Sequence, residues 1–280
     1  MKKNKTILAV LAHPDDESFG MGGTLALYAE QGCNVHLACA TRGEVGSVED
    51  KYLVGYTSIG EMREGELRCA AEQLGLSGVT FLGYRDSGMP GSPENFHPMA
   101  QVAHPVEEVA GKVVELIRKL KPDVVLTFDP IGGYKHPDHI HIHNATVLAF
   151  EKSDSPSFFP EFADMYKPSF LYFHTIPRGF LRFGVGLIRL FGGNPSKWGK
   201  NKDIDLASLA EVEFPTHVVI DYSRLGNKKT KASECHASQG GAQMRKGVLG
   251  WVFRLVGEKD SFMQAYPVIQ DQTPVRFSLF

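Results

Sequence analysis

Apolar residues in the first half of the chain fall into short, near-continuous runs at residues 6–12, 34–40, 79–82 and 123–128. Runs of this length without polar alternation predict strands buried on both faces, the pattern of a parallel sheet. Between them the period changes. Residues 18–31 predict a helix with Leu25, Ala26 and Ala29 inward and Gly32 as its stop. Ser58-x-x-Glu61 has capping-box spacing and opens a helix to Leu74, which Gly75 closes. Pro105 suits the first turn of a third helix, whose stripe is Val106, Val109, Val113, Leu116, Ile117 and Leu120. Residues 139–151 predict a fourth. Strand and helix in alternation predict a Rossmann-like, doubly wound α/β fold: a mostly parallel sheet with helices on both faces.

The second half carries less signal. Residues 170–174 and 217–221 predict strands, and residues 225–238 a closing helix. Residues 178–191 place Phe180, Phe183, Leu187, Leu190 and Phe191 on one helical face and Arg178, Arg182 and Arg189 on the other. Such a segment fits a lid or subunit contact first and a membrane-surface helix second. Val248, Trp251, Val252 and Leu255 form another short apolar stripe. With no linker or repeat, the 280 residues predict one domain, with a core over about 5–150 and a decorated, specificity-setting portion over about 151–280.

Net charge is −2 with acids and bases interspersed, so no nucleic-acid footprint is expected. No run is long enough to span a membrane. Cys33, Cys39, Cys69 and Cys235 lack C-x-x-C spacing and are expected as free thiols in a cytoplasmic, reducing compartment.

The polar motifs change the picture from fold to chemistry. His13-Pro14-Asp15-Asp16-Glu17, Thr41-Arg42-Gly43-Glu44 and Asp129 through His139 each follow a predicted strand. Doubly wound sheets bind ligands at the carboxyl ends of their strands, so the three motifs are expected to converge. His13, Asp16 and His139 then make a two-histidine, one-carboxylate set with open positions, suited to catalytic zinc and also to non-haem iron. Asp15 favours hydrolysis over oxygenation, because a carboxylate beside such a metal can take the proton of its water. Tyr134 is a candidate donor to a developing oxyanion. His136 is a candidate acid or electrostatic stabiliser, with a ligand role as the alternative. His141 and His143 are expected on the surface of a helix.

These motifs, together with Arg63 with Glu64 and Glu66, Tyr84-Arg85-Asp86-Ser87-Gly88-Met89 and His236-x-Ser238-Gln239, resemble the LmbE/PIG-L-like zinc N-deacetylases. They are most similar to the branch of the mycothiol-biosynthesis deacetylase and mycothiol-conjugate amidase. The resemblance implies a metal-dependent hydrolase that takes acetyl from a small N-acetylglucosamine-type conjugate, releasing acetate and an amino sugar. It implies Zn2+, with Fe2+ or another divalent ion as alternatives. His13, Asp16 and His139 are the implied ligands, Asp15 the base, and His136 and Tyr134 catalytic neighbours. Arg63 and Asp86 would contact substrate, and Asp138 and Glu17 would support the site from behind. Alternatives are an amidase on a thiol-sugar conjugate or another acyl-amide, an iron oxygenase, and a sugar-binding protein without turnover. A homo-oligomer is compatible with all of them.

Overall fold

The computed structural model describes residues 4–162, 164–176, 178–197, 205–242, 258–269 and 274–280. The apolar stripe around Trp251 lies outside them. Strand β1 (Thr6–Leu11) is buried from Ile7 onward, consistent with its unbroken apolar run. A π-helical turn (Glu17–Met21) leads into α1 (Gly22–Glu30), so helical structure starts one residue earlier than expected and in a wider form. β2 (Asn34–Cys39), α2 (Ile59–Leu74), β3 (Gly78–Phe81), α3 (Val106–Leu120) and β4 (Val124–Phe128) follow. Ser58 accepts the Glu61 N–H and Gly75 closes α2 in a left-handed conformation, as the capping box predicts. A single kinked turn, α4 (Gly132–Lys135), precedes α5 (Pro137–Lys152).

The order β3-β2-β1-β4 is parallel throughout and reverses direction between β1 and β4. That reversal is the topological switch point, where a crevice opens at the strand ends. β5 (Phe170–Thr175) extends the parallel sheet, and α6 (Arg178–Leu190) and the short α7 (Leu206–Leu209) come next. β6 (Val218–Asp221), α8 (Gly226–Cys235) and β7 (Lys259–Tyr266) complete a seven-stranded sheet. β7 inserts antiparallel between β5 and β6 and was not expected. Its buried polar residues hide the strand pattern, and they are satisfied. Asp260 accepts from the Thr24 N–H and hydroxyl and pairs with Lys229 at 3.0 Å.

On α3 the inward stripe is the expected one, with an addition. Arg118 is buried among it and donates to the carbonyls of Ser153, Ser155, Phe158 and Phe159, tying down the chain beyond α5. The α6 stripe stays largely open: Phe183, Leu190 and Phe191 are exposed, while Val185 is buried. Among the described residues no helix is long and apolar enough to cross a membrane.

The cysteines depart from expectation. Cys33 and Cys39 are free, but Cys69 on α2 and Cys235 on α8 form a disulfide. The two helices lie side by side with Cα atoms 5.8 Å apart, within bridging range, and no local spacing advertises a pair 166 residues apart. Closing so long a loop restricts the unfolded chain. Reduction is therefore expected to cost about 2–4 kcal/mol, seen as a melting temperature lower by roughly 5–10 °C. The Cys69→Ser, Cys235→Ser double variant should melt at that lower temperature with or without reductant. An equal melting point for oxidised and reduced protein would contradict the linkage.

Candidate metal centre

The site is built where β1 and β4 end. His13 leaves β1 at the switch point, and His139 sits on the first turn of α5, stacked on Phe128 at 4.0 Å between ring centroids. Each imidazole has one nitrogen engaged away from the crevice. His13 Nε2 lies 3.1 Å from Asp138 and 3.5 Å from Asp86. His139 Nδ1 lies 3.2 Å from the Gly132 carbonyl, an acceptor only, so this nitrogen carries the proton. Gly132 is at φ 64°, and a Cβ there would strike His139. A glycine is thus required for that carbonyl to reach the ring.

The remaining nitrogens, His13 Nδ1 and His139 Nε2, face each other at 3.1 Å. With their partner nitrogens protonated and each ring neutral, both would present lone pairs to a cation. Asp16 adds its carboxylate oxygens at 3.7 Å from His13 Nδ1 and 3.3 Å from His139 Nε2. The Asp16 carboxylate also accepts the His13 backbone N–H at 2.7 Å, and a cation between the three side chains would offset the cost of burying their acceptors together. Tetrahedral bonds of about 2.0–2.1 Å separate ligand atoms by about 3.3 Å; the two imidazole nitrogens and the pair of His139 Nε2 with Asp16 Oδ1 are close to that value, while the 3.7 Å to His13 Nδ1 is from the other Asp16 oxygen, Oδ2. The donor set fits a divalent ion. His136 lies near enough to join His13 and His139, and a second grouping links His13, Asp86, His136 and Asp138.

Charge in the site follows the same logic. Burial pushes the Asp16 carboxyl up to about 7. Burial opposes protonation of His13, but Asp86, Asp138 and Asp16 outweigh it and raise its pKa well above the usual imidazole value. Burial and then the neighbouring His13 push His136 down to about 4, which keeps it neutral, and the same causes depress His139. Burial, reinforced by Asp16, Asp15 and Asp86, raises Tyr134 well above the ordinary phenol value, so it keeps its proton as a donor. Its ring stands 4.8 Å from that of His139.

Asp15 stands apart from the donor set. Its φ of 119° is a conformation that residues with a Cβ rarely adopt, and such strain concentrates at functional sites. Two groups hold it there. Glu17 accepts the Asp15 N–H at 3.1 Å, and Arg63 Nη2 donates to the Asp15 carboxylate at 2.9 Å. Arg63 also reaches the carbonyls of Pro14 and Gly43. Gly43 has φ 67°, and a Cβ would collide with the guanidinium. Burial raises the Asp15 carboxyl, with Arg63 opposing. Asp86 accepts from the Gly88 N–H at 2.8 Å and the Val45 N–H at 3.3 Å, and it is held well below the usual carboxylate range, burial being outweighed by His13. Arg63 and Asp86 are both nearly fully buried and turned toward site side chains.

Three supporting contacts went unassigned from the sequence. Ser87 donates its N–H at 2.8 Å and its hydroxyl at 2.5 Å to Asp138, fixing the carboxylate that holds His13. Glu66 on α2 accepts the Ser238 N–H and hydroxyl, both at 2.8 Å. His236 pairs with Glu17 at 2.7 Å, joining the C-terminal motif to the N-terminal one. All lie in motifs that sequence reading singles out; what the sequence lacks is which partner each meets. Cys235 is bonded to Cys69 and so is no free thiol nucleophile. His143 is buried against the Phe128 carbonyl at 2.8 Å rather than on the helix surface, and it serves packing.

Residues 8–150 match the family model described as GlcNAc-PI de-N-acetylase, PIG-L. The 1D-myo-inositol 2-acetamido-2-deoxy-alpha-D-glucopyranoside deacetylase of Streptomyces avermitilis is 36% identical over 245 residues, 84% of this chain and 83% of its own. Among solved structures, the N,N'-diacetylchitobiose deacetylase of Pyrococcus horikoshii matches with a TM-score of 0.64 at 21% identity, over 94% of this chain and 84% of that one. The 4-carboxy-2-hydroxymuconate hydratase of Pseudomonas putida matches at 0.61 and 21%, over 96% and 100%, so the fold by itself does not select the reaction. Motif, model match and relatives agree, and the chain belongs to the PIG-L family of GlcNAc-PI de-N-acetylases.

Proposed function

We propose that this member of the deacetylase family is a zinc-dependent hydrolase that removes the acetyl group from an N-acetylglucosaminyl conjugate of a cyclitol, giving acetate and the free amino sugar. The observation that carries this reading is the facing pair of histidine nitrogens with Asp16, flanked by an Asp15 carboxylate that Arg63 holds outside the donor set. The inositol conjugate named for the relative in Streptomyces avermitilis supports the substrate class.

In this reading His13, Asp16 and His139 hold the ion. A bound divalent ion would polarise the acetamide carbonyl and make a water molecule more acidic. The chain's own groups do the rest. Asp15 takes the proton from the attacking water, and Arg63 keeps its carboxylate aimed while the proton moves. Tyr134, protonated, donates to the oxygen on which negative charge develops. Asp15, once protonated, returns that proton to the leaving amine, either directly or relayed through the neutral His136 beside the same centre. Ser87 and Asp138 hold the His13 ring in the required tautomer throughout.

The test is acetate release from N-acetylglucosamine conjugates of inositol, malate, a second sugar and a lipid, using metal-stripped protein with and without added zinc. Zinc-restored release from the inositol conjugate is the expected result. Release restored by no divalent metal would overturn the proposal, as would oxygen uptake by iron-loaded protein in place of hydrolysis.

A further inference from the structure

Tyr134 also lines a cavity of about 240 Å³, large enough for one ring rather than an extended chain. Met89 and Pro90 line it together with Ser208 on α7 and Asp205, the residue that caps that helix. Lys135 also lines it, in an unusual conformation. Its φ is 68°, positive like that of Gly132 and Gly133 but not of the intervening Tyr134, and lysine has a Cβ and gains nothing from that region. Its Nζ donates to the Ser208 hydroxyl at 3.0 Å. Ser208 in turn donates its N–H to the Asp205 carboxylate at 3.1 Å and its hydroxyl to the Asp205 carbonyl at 3.2 Å. An exposed ammonium and an exposed carboxylate thus line one small cavity, both bonded to Ser208, the first through its hydroxyl and the second through its N–H.

We infer that Lys135 and Asp205 form the subsite that selects the group attached to the amino sugar, and that this group is a neutral, polyhydroxylated ring. The juxtaposition decides among chemistries. An anionic group drawn to Lys135 meets the Asp205 carboxylate, and a cationic group meets the ammonium. Vicinal hydroxyls can accept from one and donate to the other. Tyr134 is shared by the cavity and the metal centre. A substrate whose acetamide lies among His13, Asp16 and His139 would pass its sugar along Tyr134 and deliver its second ring here. The inference rests on the deacetylase reading for that orientation.

Two readouts test it, one of them independent of turnover. The first is calorimetric binding of glucosaminyl-inositol, set against methyl glucosaminide, which lacks the second ring. The second is kcat/KM for acetate release from the corresponding N-acetyl compounds. Lys135→Gly is expected to weaken binding of the inositol compound about tenfold or more relative to the methyl compound, the effect of losing one charged hydrogen bond. It should raise KM more than it lowers kcat. The melting temperature should hold or rise, because glycine accepts φ 68° without strain, whereas a merely structural lysine would leave the protein less stable. Asp205→Ala should narrow the preference for the inositol over the malate conjugate. Equal losses for both ligands, no loss for either, or tighter binding of the malate than the inositol compound in the unaltered protein would each overturn the subsite. If no conjugate releases acetate but the binding contrast persists, the fault lies with the deacetylase reading instead.

Discussion

Asp15→Asn is expected to lower kcat for acetate release by about 10²–10⁴-fold while leaving zinc bound and KM within a few-fold of its starting value. The asparagine keeps the volume and can still accept from Arg63, and it tolerates a left-handed backbone better than most residues. What it lacks is the capacity to take a proton. The metal should remain because Asp15 points its carboxylate at Arg63 Nη2, at 2.9 Å, while His13, Asp16 and His139 face one another. Zinc content after dialysis, measured beside steady-state kinetics, separates the two effects. Asp16→Asn should show the opposite balance, losing metal and activity together. If Asp15→Asn keeps more than about a tenth of the original kcat, the proton goes elsewhere, and the neutral His136 becomes the base. Should it lose zinc as well, Asp15 belongs in the donor set and the separation between ligand and base collapses.

The placement of Asp15 shows where sequence and structure part. Its neighbours and its position after a strand can be read from the chain, because unbroken apolar runs at residues 6–12 and 123–128 mark buried parallel strands whose ends meet at a switch point. The positive φ, and the choice of Nδ1 on His13 but Nε2 on His139, depend on partners brought in from Glu17, Arg63, Asp138 and the Gly132 carbonyl. Such contacts are tertiary, and no spacing rule encodes them. β7 was illegible for a related reason. Strand signals rest on apolar alternation, but Asp260, Ser261 and Gln264 are buried polar residues on β7. A lysine on α8 and a threonine on α1 satisfy Asp260, so the cost that would normally exclude it from a core is offset by groups far away in the chain. The Cys69–Cys235 bond belongs to the same class, since the two helices come together only after the C-terminal third has folded back onto the first.

That fold-back has its strongest expected consequence at Glu17. The side chains of Glu17 and His236 are both fully buried and 2.7 Å apart. Burial alone would raise the Glu17 carboxyl, but His236 outweighs it and holds the pKa below the usual value. For His236 burial is outweighed by Glu17 in the same way, and its pKa is raised. The geometry and the shifts agree on an ion pair. Removing one member of such a pair leaves the other without its counter-charge in a site that cannot hydrate it, at a cost of about 3–5 kcal/mol. Glu17→Ala should therefore lower the melting temperature by roughly 10 °C or more, the largest single-residue effect on stability expected here. It should also lower kcat, because the Asp15 N–H loses its acceptor and that strained backbone is then held only by the bonds its carbonyl accepts from the Ser18 and Phe19 N–H groups and by Arg63 on its side chain. Glu17→Gln separates the two. Its amide oxygen can still accept the Asp15 N–H, so kcat should fall less, while the lost charge leaves most of the stability deficit in place. Against a structural role for each residue alone stands a double-mutant cycle: Glu17→Ala with His236→Ala should cost well under the sum of the single losses, since each single variant strands a partner that the double variant removes. Strict additivity would mean that the N-terminal motif and the C-terminal histidine are neighbours without being coupled.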